Sequence, residues 1–392
     1  MIRNPWHAWT FVAFFSFSVV FGATAEALAS TSIEVELKSP SAILIDASSG
    51  QVLFAKNADE RREPASITKV VTLALTMKAL REGKVALTDQ VTASPYATSF
   101  GGSQIWLEPG EAMSLEDLIY AIAVGSANDA SVAVAEHIAG SEQKFVQEMN
   151  ELARQAGAKN THFNNPHGLP DANHFVSARD MAIIARYLVT QYPEVLRYTS
   201  QWEYFLREDT NKKLWLVNTN KGLKHFSGMD GLKTGWTSTA GFNLVATAKR
   251  GSTRLIGVTL GAERSADRFL DMYRMLNEGF ANFETVEITK AGERVATLPV
   301  LEGRLDEVGI VTGSSLAITV AKGEADSIEK KLVTPKQVTA PIQKGQKVGS
   351  IVALSNGKEL GTVDLVAAET VNRAPIWQLF LKFARWMWPL TT

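Results

Sequence analysis

Near residue 283 this chain shifts from a mixture of strand and helix patterns to short β-like runs alone, and that shift limits the folds open to it. Before it, the β-type runs 41–46 (SAILID) and 51–56 (QVLFAK), split by Ala47-Ser48-Ser49-Gly50, predict a hairpin. FNLVATAKR (242–250) and TRLIGVTLG (253–261) predict two adjacent strands turning at Gly251. Between these pairs the period is helical. Val70, Leu73, Met77 and Leu80 predict a helix from Ser66 to about Gly83, and another is expected over Asp129–Ile138. Ser114 with Asp117, and Ser177 with Asp180, form capping pairs ahead of LIYAIAV and MAIIARYL. A last helix is expected from about Ala266 to Phe280. Strands that open and close a region filled by helices predict an α+β domain around one mostly antiparallel sheet.

Beyond the change the runs are short and β-like: VEIT, VATLPV, LAITVA, KLVT, VGSIVAL and GTVDLVA, with turns at Lys344-Gly345-Gln346 and Asn356-Gly357-Lys358. They predict a small all-β domain of sandwich type over 284–371. Residues 372–392 differ again. Trp377, Phe380, Phe383, Trp386 and Trp388 surround a stripe of Gln378, Lys382 and Arg385. That pattern predicts an amphipathic helix lying on a membrane surface, its two cations reaching lipid head groups. At the other end, Phe11–Ala23 is apolar but for Ser16 and Ser18, and small residues follow at Ala23-Thr24-Ala25 and Ala27-Leu28-Ala29. Residues 1–29 therefore read as a secretory signal peptide cut after Ala25 or Ala29, which leaves 30–283 as the first folded domain. Lys plus Arg total 40 against 41 for Asp plus Glu, a balance that argues against nucleic acid as a partner. The chain has no cysteine, so disulfides and thiolate metal sites are excluded. The reading assigns no cofactor and no metal.

Three short motifs carry chemistry: Ser66-Ile67-Thr68-Lys69 (S-x-x-K), Ser126-Ala127-Asn128 (S-x-N) and Lys233-Thr234-Gly235 (K-T-G). An S-x-x-K also begins at Ser141, Ser327 and Ser355, so the tetrad alone selects nothing. Order and context select Ser66: it opens a helix after Pro64-Ala65, the S-x-N falls in a break between helices, and the K-T-G precedes a β-run. A serine hydroxyl needs a neighbouring base, and a lysine is a base only when neutral. Burial and a second cation, Lys233, would lower the pKa of Lys69. Ser126 could relay a proton, Asn128 could hold Lys69 and a substrate amide, and Lys233 with Thr234 could receive a carboxylate.

The motifs and the stretches PASITKVVT (64–72), VGSANDASVAVAEHIAGS (124–141), NPHGLPD (165–171) and DGLKTGWTSTAGFNLVATA (230–248) resemble those of the low-molecular-mass penicillin-binding proteins, the D-alanyl-D-alanine carboxypeptidases. The resemblance runs from about residue 35 to the C-terminus. It implies a penicillin-recognising transpeptidase/β-lactamase-like domain followed by the β-domain and a terminal anchor on the periplasmic face of the inner membrane. It implies acylation of Ser66 by peptidoglycan stem peptides and by β-lactams, with loss of the terminal D-Ala. It places an oxyanion hole at the backbone N–H groups of Ser66 and Trp236, a carboxylate-binding arginine at Arg268, and a histidine near the site at His167. The E-x-x-L-N stretch that would mark a class A β-lactamase does not follow the S-x-N.

Overall fold

The computed structural model describes residues 33–387, with side chains to Lys382; the signal-peptide expectation lies outside the described residues. Strands β1 (Ser41–Asp46) and β2 (Val52–Lys56) form the expected hairpin. From β1 the sheet continues through Thr253–Ala262 and Gly241–Arg250 to Met229–Thr237, every pair antiparallel. The K-T-G, expected ahead of a β-run, instead lies within Met229–Thr237, the strand at the sheet's edge. Side chains of β1 alternate between two cores. Ile43 and Ile45 join the helical layer, and Ala42 and Leu44 join the layer built on helix Ser265–Asn282. A strand covered on both faces reads as an unbroken apolar run, as SAILID does.

The helical layer centres on α1 (Lys69–Arg81), buried from Lys69 through Met77. That stretch is buried on all sides because neighbours surround it. Around it stand α2 (Leu115–Ala123), α3 (Asn128–Ala139), α4 (Glu142–Ala156) and α5 (Ala178–Gln191). The two capping pairs form as the spacing predicts: the Ser114 and Ser177 hydroxyls accept the N–H of Asp117 and Asp180, each at 3.1 Å. Helix α4 was not expected, since its charged face hides a narrow stripe of Phe145, Met149, Leu152 and Ala153.

The C-terminal domain is all β. A six-stranded sheet runs in the order Ile328–Val333, Lys347–Ser355, Lys358–Ala367, Glu307–Thr312, Arg294–Leu301, Val338–Thr339. Phe283–Thr289 and Leu316–Ala321 pair separately. Both sheets feed one core, including Ile288, Val308, Ile310, Val320, Val363 and Leu365. Glu307–Thr312 escaped the sequence reading because Gly309 interrupts its alternation, yet it is an inner strand. Helix Ile376–Met387 follows, with Ile376, Trp377, Phe380 and Leu381 exposed. Lys382 departs from expectation: its Nζ donates to the Gly303 carbonyl at 2.9 Å and pairs with Asp306, so it is spent on the β-domain rather than free for head groups. Among the described residues no helix is long and apolar enough to cross a membrane.

Candidate active site

The S-x-x-K does not begin an α-helix. Ala65–Thr68 is a 3-10 turn, and α1 starts at Lys69. With three residues per turn, side chains at i and i+3 eclipse, so the turn stacks Lys69 directly against Ser66. Ala65 enters the turn with φ 50°, and Ser66 is left partly exposed with no capping bond on its hydroxyl. Two glycines permit this geometry. A methyl on Gly168 would lie 1.9 Å from the Ala65 carbonyl oxygen. One on Gly235 would lie 2.8 Å from the Pro64 carbonyl oxygen and 3.0 Å from the Ser66 nitrogen. The turn is therefore wedged between the NPHGLPD segment and the K-T-G strand. Asn243 bolts the second contact, its amide donating to the carbonyls of Glu63 (2.9 Å) and Pro64 (3.0 Å).

The Lys69 amine is wholly buried and meets three oxygens: Ser66 Oγ at 3.1 Å, Asn128 Oδ1 at 2.7 Å and the His167 carbonyl at 2.6 Å. Two of these can only accept. A neutral amine spends both its N–H bonds on them, which leaves its lone pair aimed at the hydroxyl of Ser66. Burial pushes the pKa of Lys69 well below its ordinary value, and the charge of Lys233 pushes it further, against a smaller opposing pull from Asp129. Lys233 is also buried and is lowered to about 7, by burial and then by Arg268. Its Nζ donates to the Thr234 carbonyl at 3.0 Å, and the Thr234 hydroxyl lies 2.6 Å from that of Thr219. Arg268 lies behind the strand, donating to the carbonyls of Gly235 (3.0 Å) and Asn243 (3.2 Å). Burial lowers it to about 10, so it stays charged at neutral pH.

Most of the expected residues converge, but on different terms. Asn128 holds Lys69 as expected, and its Nδ2 donates to the Gly101 carbonyl at 2.7 Å. Ser126 is buried in the α2–α3 break with φ 61°, but among the described residues its hydroxyl makes no hydrogen bond to Ser66, Lys69 or Lys233. Trp236 stands at the rim, 57% exposed, its ring 5.7 Å from that of Phe242. His167 serves through its main chain. Its ring accepts the Leu169 N–H at Nδ1 (3.1 Å) and stays neutral, since burial above all holds its pKa at about 3. Sequence reasoning missed Asp129, Asn243 and Thr219. Only Asp129, directly after the S-x-N, gave a signal that could have found it.

An edge strand, a serine in a 3-10 turn and a buried lysine with a lowered pKa come together here on a penicillin-recognising hydrolase fold. The chain belongs to the D-alanyl-D-alanine carboxypeptidase family, whose description matches residues 26–264, and residues 283–373 match the C-terminal domain of penicillin-binding protein 5. It is 42% identical over 342 residues to D-alanyl-D-alanine carboxypeptidase DacF of Bacillus subtilis, covering 87% of this chain and 88% of that one. Penicillin-binding protein 5 of Haemophilus influenzae superposes with a TM-score of 0.75 at 35% identity, over 87% of this chain and 99% of that one. Penicillin-binding protein D2 of Listeria monocytogenes, solved with ampicillin bound, superposes with a TM-score of 0.55 at 28% identity, over 63% of this chain and 99% of that one.

Proposed function

We propose that this protein is a serine D-alanyl-D-alanine carboxypeptidase acting on peptidoglycan stem peptides. The observation that carries the reading is the wholly buried Lys69 amine, 3.1 Å from Ser66 Oγ with Asn128 Oδ1 and the His167 carbonyl beside it; in its neutral form its N–H bonds go to those two oxygens and its lone pair to Ser66. Lys69 takes the Ser66 proton as Oγ attacks the penultimate D-Ala carbonyl. The oxyanion forms against the N–H groups of Ser66 and Trp236. Ser126 passes the proton to the departing amine. Terminal D-Ala leaves, and water hydrolyses the acyl-enzyme. The substrate carboxylate lies by Lys233, Thr234 and Arg268, and Gly235 lets the Ser66 turn close on the K-T-G strand beside them. Arg268 has a second task, since it also holds the Gly235 and Asn243 carbonyls that set the strand. A β-lactam acylates Ser66 by the same steps; the ampicillin-bound Listeria relative supports this.

The same reading takes residues 1–29 as a signal peptide and puts the mature protein at the periplasmic face of the inner membrane. Residues 373–392 hold it there through the apolar face that Ile376, Trp377, Phe380 and Leu381 leave exposed. Mass spectrometry of a stem pentapeptide incubated with the mature protein tests the reaction. Loss of one terminal D-Ala is expected. An intact pentapeptide, or cleavage at any other bond, overturns it.

A further inference from the structure

Trp106 stands in the backbone region that side chains avoid, with φ 54°, and its side chain is 64% exposed. Both conditions are unfavourable for a tryptophan; an idle loop position in the left-handed region takes glycine or asparagine. The neighbours show how firmly it is held there. Ile105 and Leu107 are buried, and their N–H groups both donate to the Asp129 carboxylate, at 3.1–3.2 Å and 3.1 Å. Arg207 Nη1 holds the Ile105 carbonyl at 3.0 Å, and Arg207 is itself fixed by Glu111 at 2.6 Å. With the Gln104 amide turned to satisfy both its ends, its oxygen accepts from the indole N–H at 3.1 Å, which orients the ring. The same loop is bonded to Asn128, through Ser103 and Gly101, each at 2.7 Å. The S-x-N wall of the cleft and this outward-facing indole are thus one rigid piece.

From this we infer that Trp106 is a specificity-determining residue of the carboxypeptidase reaction. It takes the long aliphatic side chain of the residue that precedes D-Ala-D-Ala. The inference rests on the proposed activity. The Lys233–Thr234–Arg268 end of the cleft is cationic and suits the carboxylate of the leaving residue. The acyl part then runs from the K-T-G strand along the S-x-N wall, to which the Trp106 loop is bonded at Asn128, so the fixed indole is offered to its methylene groups. Strain confined to one exposed side chain, with its flanks over-determined, marks a working position rather than a packing accident.

The test compares diacetyl-L-lysyl-D-alanyl-D-alanine with acetyl-glycyl-D-alanyl-D-alanine as the ratio of their kcat/KM values. Trp106→Asn keeps a residue that tolerates the left-handed region, so the loop should survive. The preference for the lysyl substrate should fall about tenfold, the scale on which a few methylene contacts discriminate, and chiefly through KM. Trp106→Phe, which keeps a ring, should retain at least about half of the preference by the same logic. Turnover with an unchanged ratio in Trp106→Asn, or equal ratios in the Asn and Phe variants, overturns the inference alone. Absence of D-Ala release from either substrate by the unsubstituted protein overturns it together with the activity on which it rests.

Discussion

Two S-x-x-K tetrads in this chain, Ser66–Lys69 and Ser141–Lys144, share a spelling and nothing else. The Ser141 hydroxyl is consumed by the backbone: it caps α4, accepting the Lys144 N–H at 3.3 Å. Lys144 is exposed at the start of a regular α-helix. The Ser66 hydroxyl has no capping duty, and the 3-10 turn sets it beneath a lysine with no access to water. A serine and a lysine three residues apart become a nucleophile and its base only where the backbone leaves the hydroxyl free and burial takes the charge from the amine.

Paired substitutions can break this comparison. Ser66→Ala should abolish D-Ala release and labelling by a fluorescent penicillin, a loss on the order of 10⁴-fold or more for a covalent nucleophile. Ser141→Ala should leave both within about twofold, as befits a residue outside the acyl-transfer set. Label mapped to any serine but Ser66 would dissolve the distinction.

The lysines differ in what they do to stability. Burial sets native Lys233 at about 7, against an ordinary value of 10.5. Between those values the unfolded chain carries a proton that the native site has shed. Stability therefore rises with pH across the window, by up to about 1.4 kcal/mol per pH unit. Below about 7 the full cost of the buried charge is present. Lys69 is shifted in the same direction. The urea midpoint should climb between pH 7.5 and 9.5 in the unsubstituted protein and in Lys144→Met, and climb less in Lys233→Met. A flat profile in the unsubstituted protein would mean that the buried amine keeps its charge throughout.

The smallest expected effect reverses the first. Ser141→Ala removes a helix cap and should cost about 1 kcal/mol of unfolding free energy. Ser66→Ala removes none and should cost less. A larger loss for Ser66→Ala in denaturant titration would show that its hydroxyl has a structural duty.

The order of the motifs and the shift in pattern made the α+β domain, the β-domain and the triad of motifs legible from residues alone. What stayed hidden was carried by the main chain or by distant partners. The His167 carbonyl that holds Lys69 could belong to any residue type, and NPHGLPD gave only a ring to notice. Asn243 reads as one more polar residue within a strand, although it ties the Ser66 turn to the sheet. Lys382 fits a lipid-facing stripe until the fold brings Asp306 beside it.

Gly235 has a mechanical consequence. Its strand is the edge of the sheet, and the turn that carries Ser66 is pressed against it. A methyl on Gly235 would lie 2.8 Å from the Pro64 carbonyl oxygen and 3.0 Å from the Ser66 nitrogen. The spacing between Ser66 and the edge strand is thus fixed by backbone meeting backbone, with no side chain between them to yield.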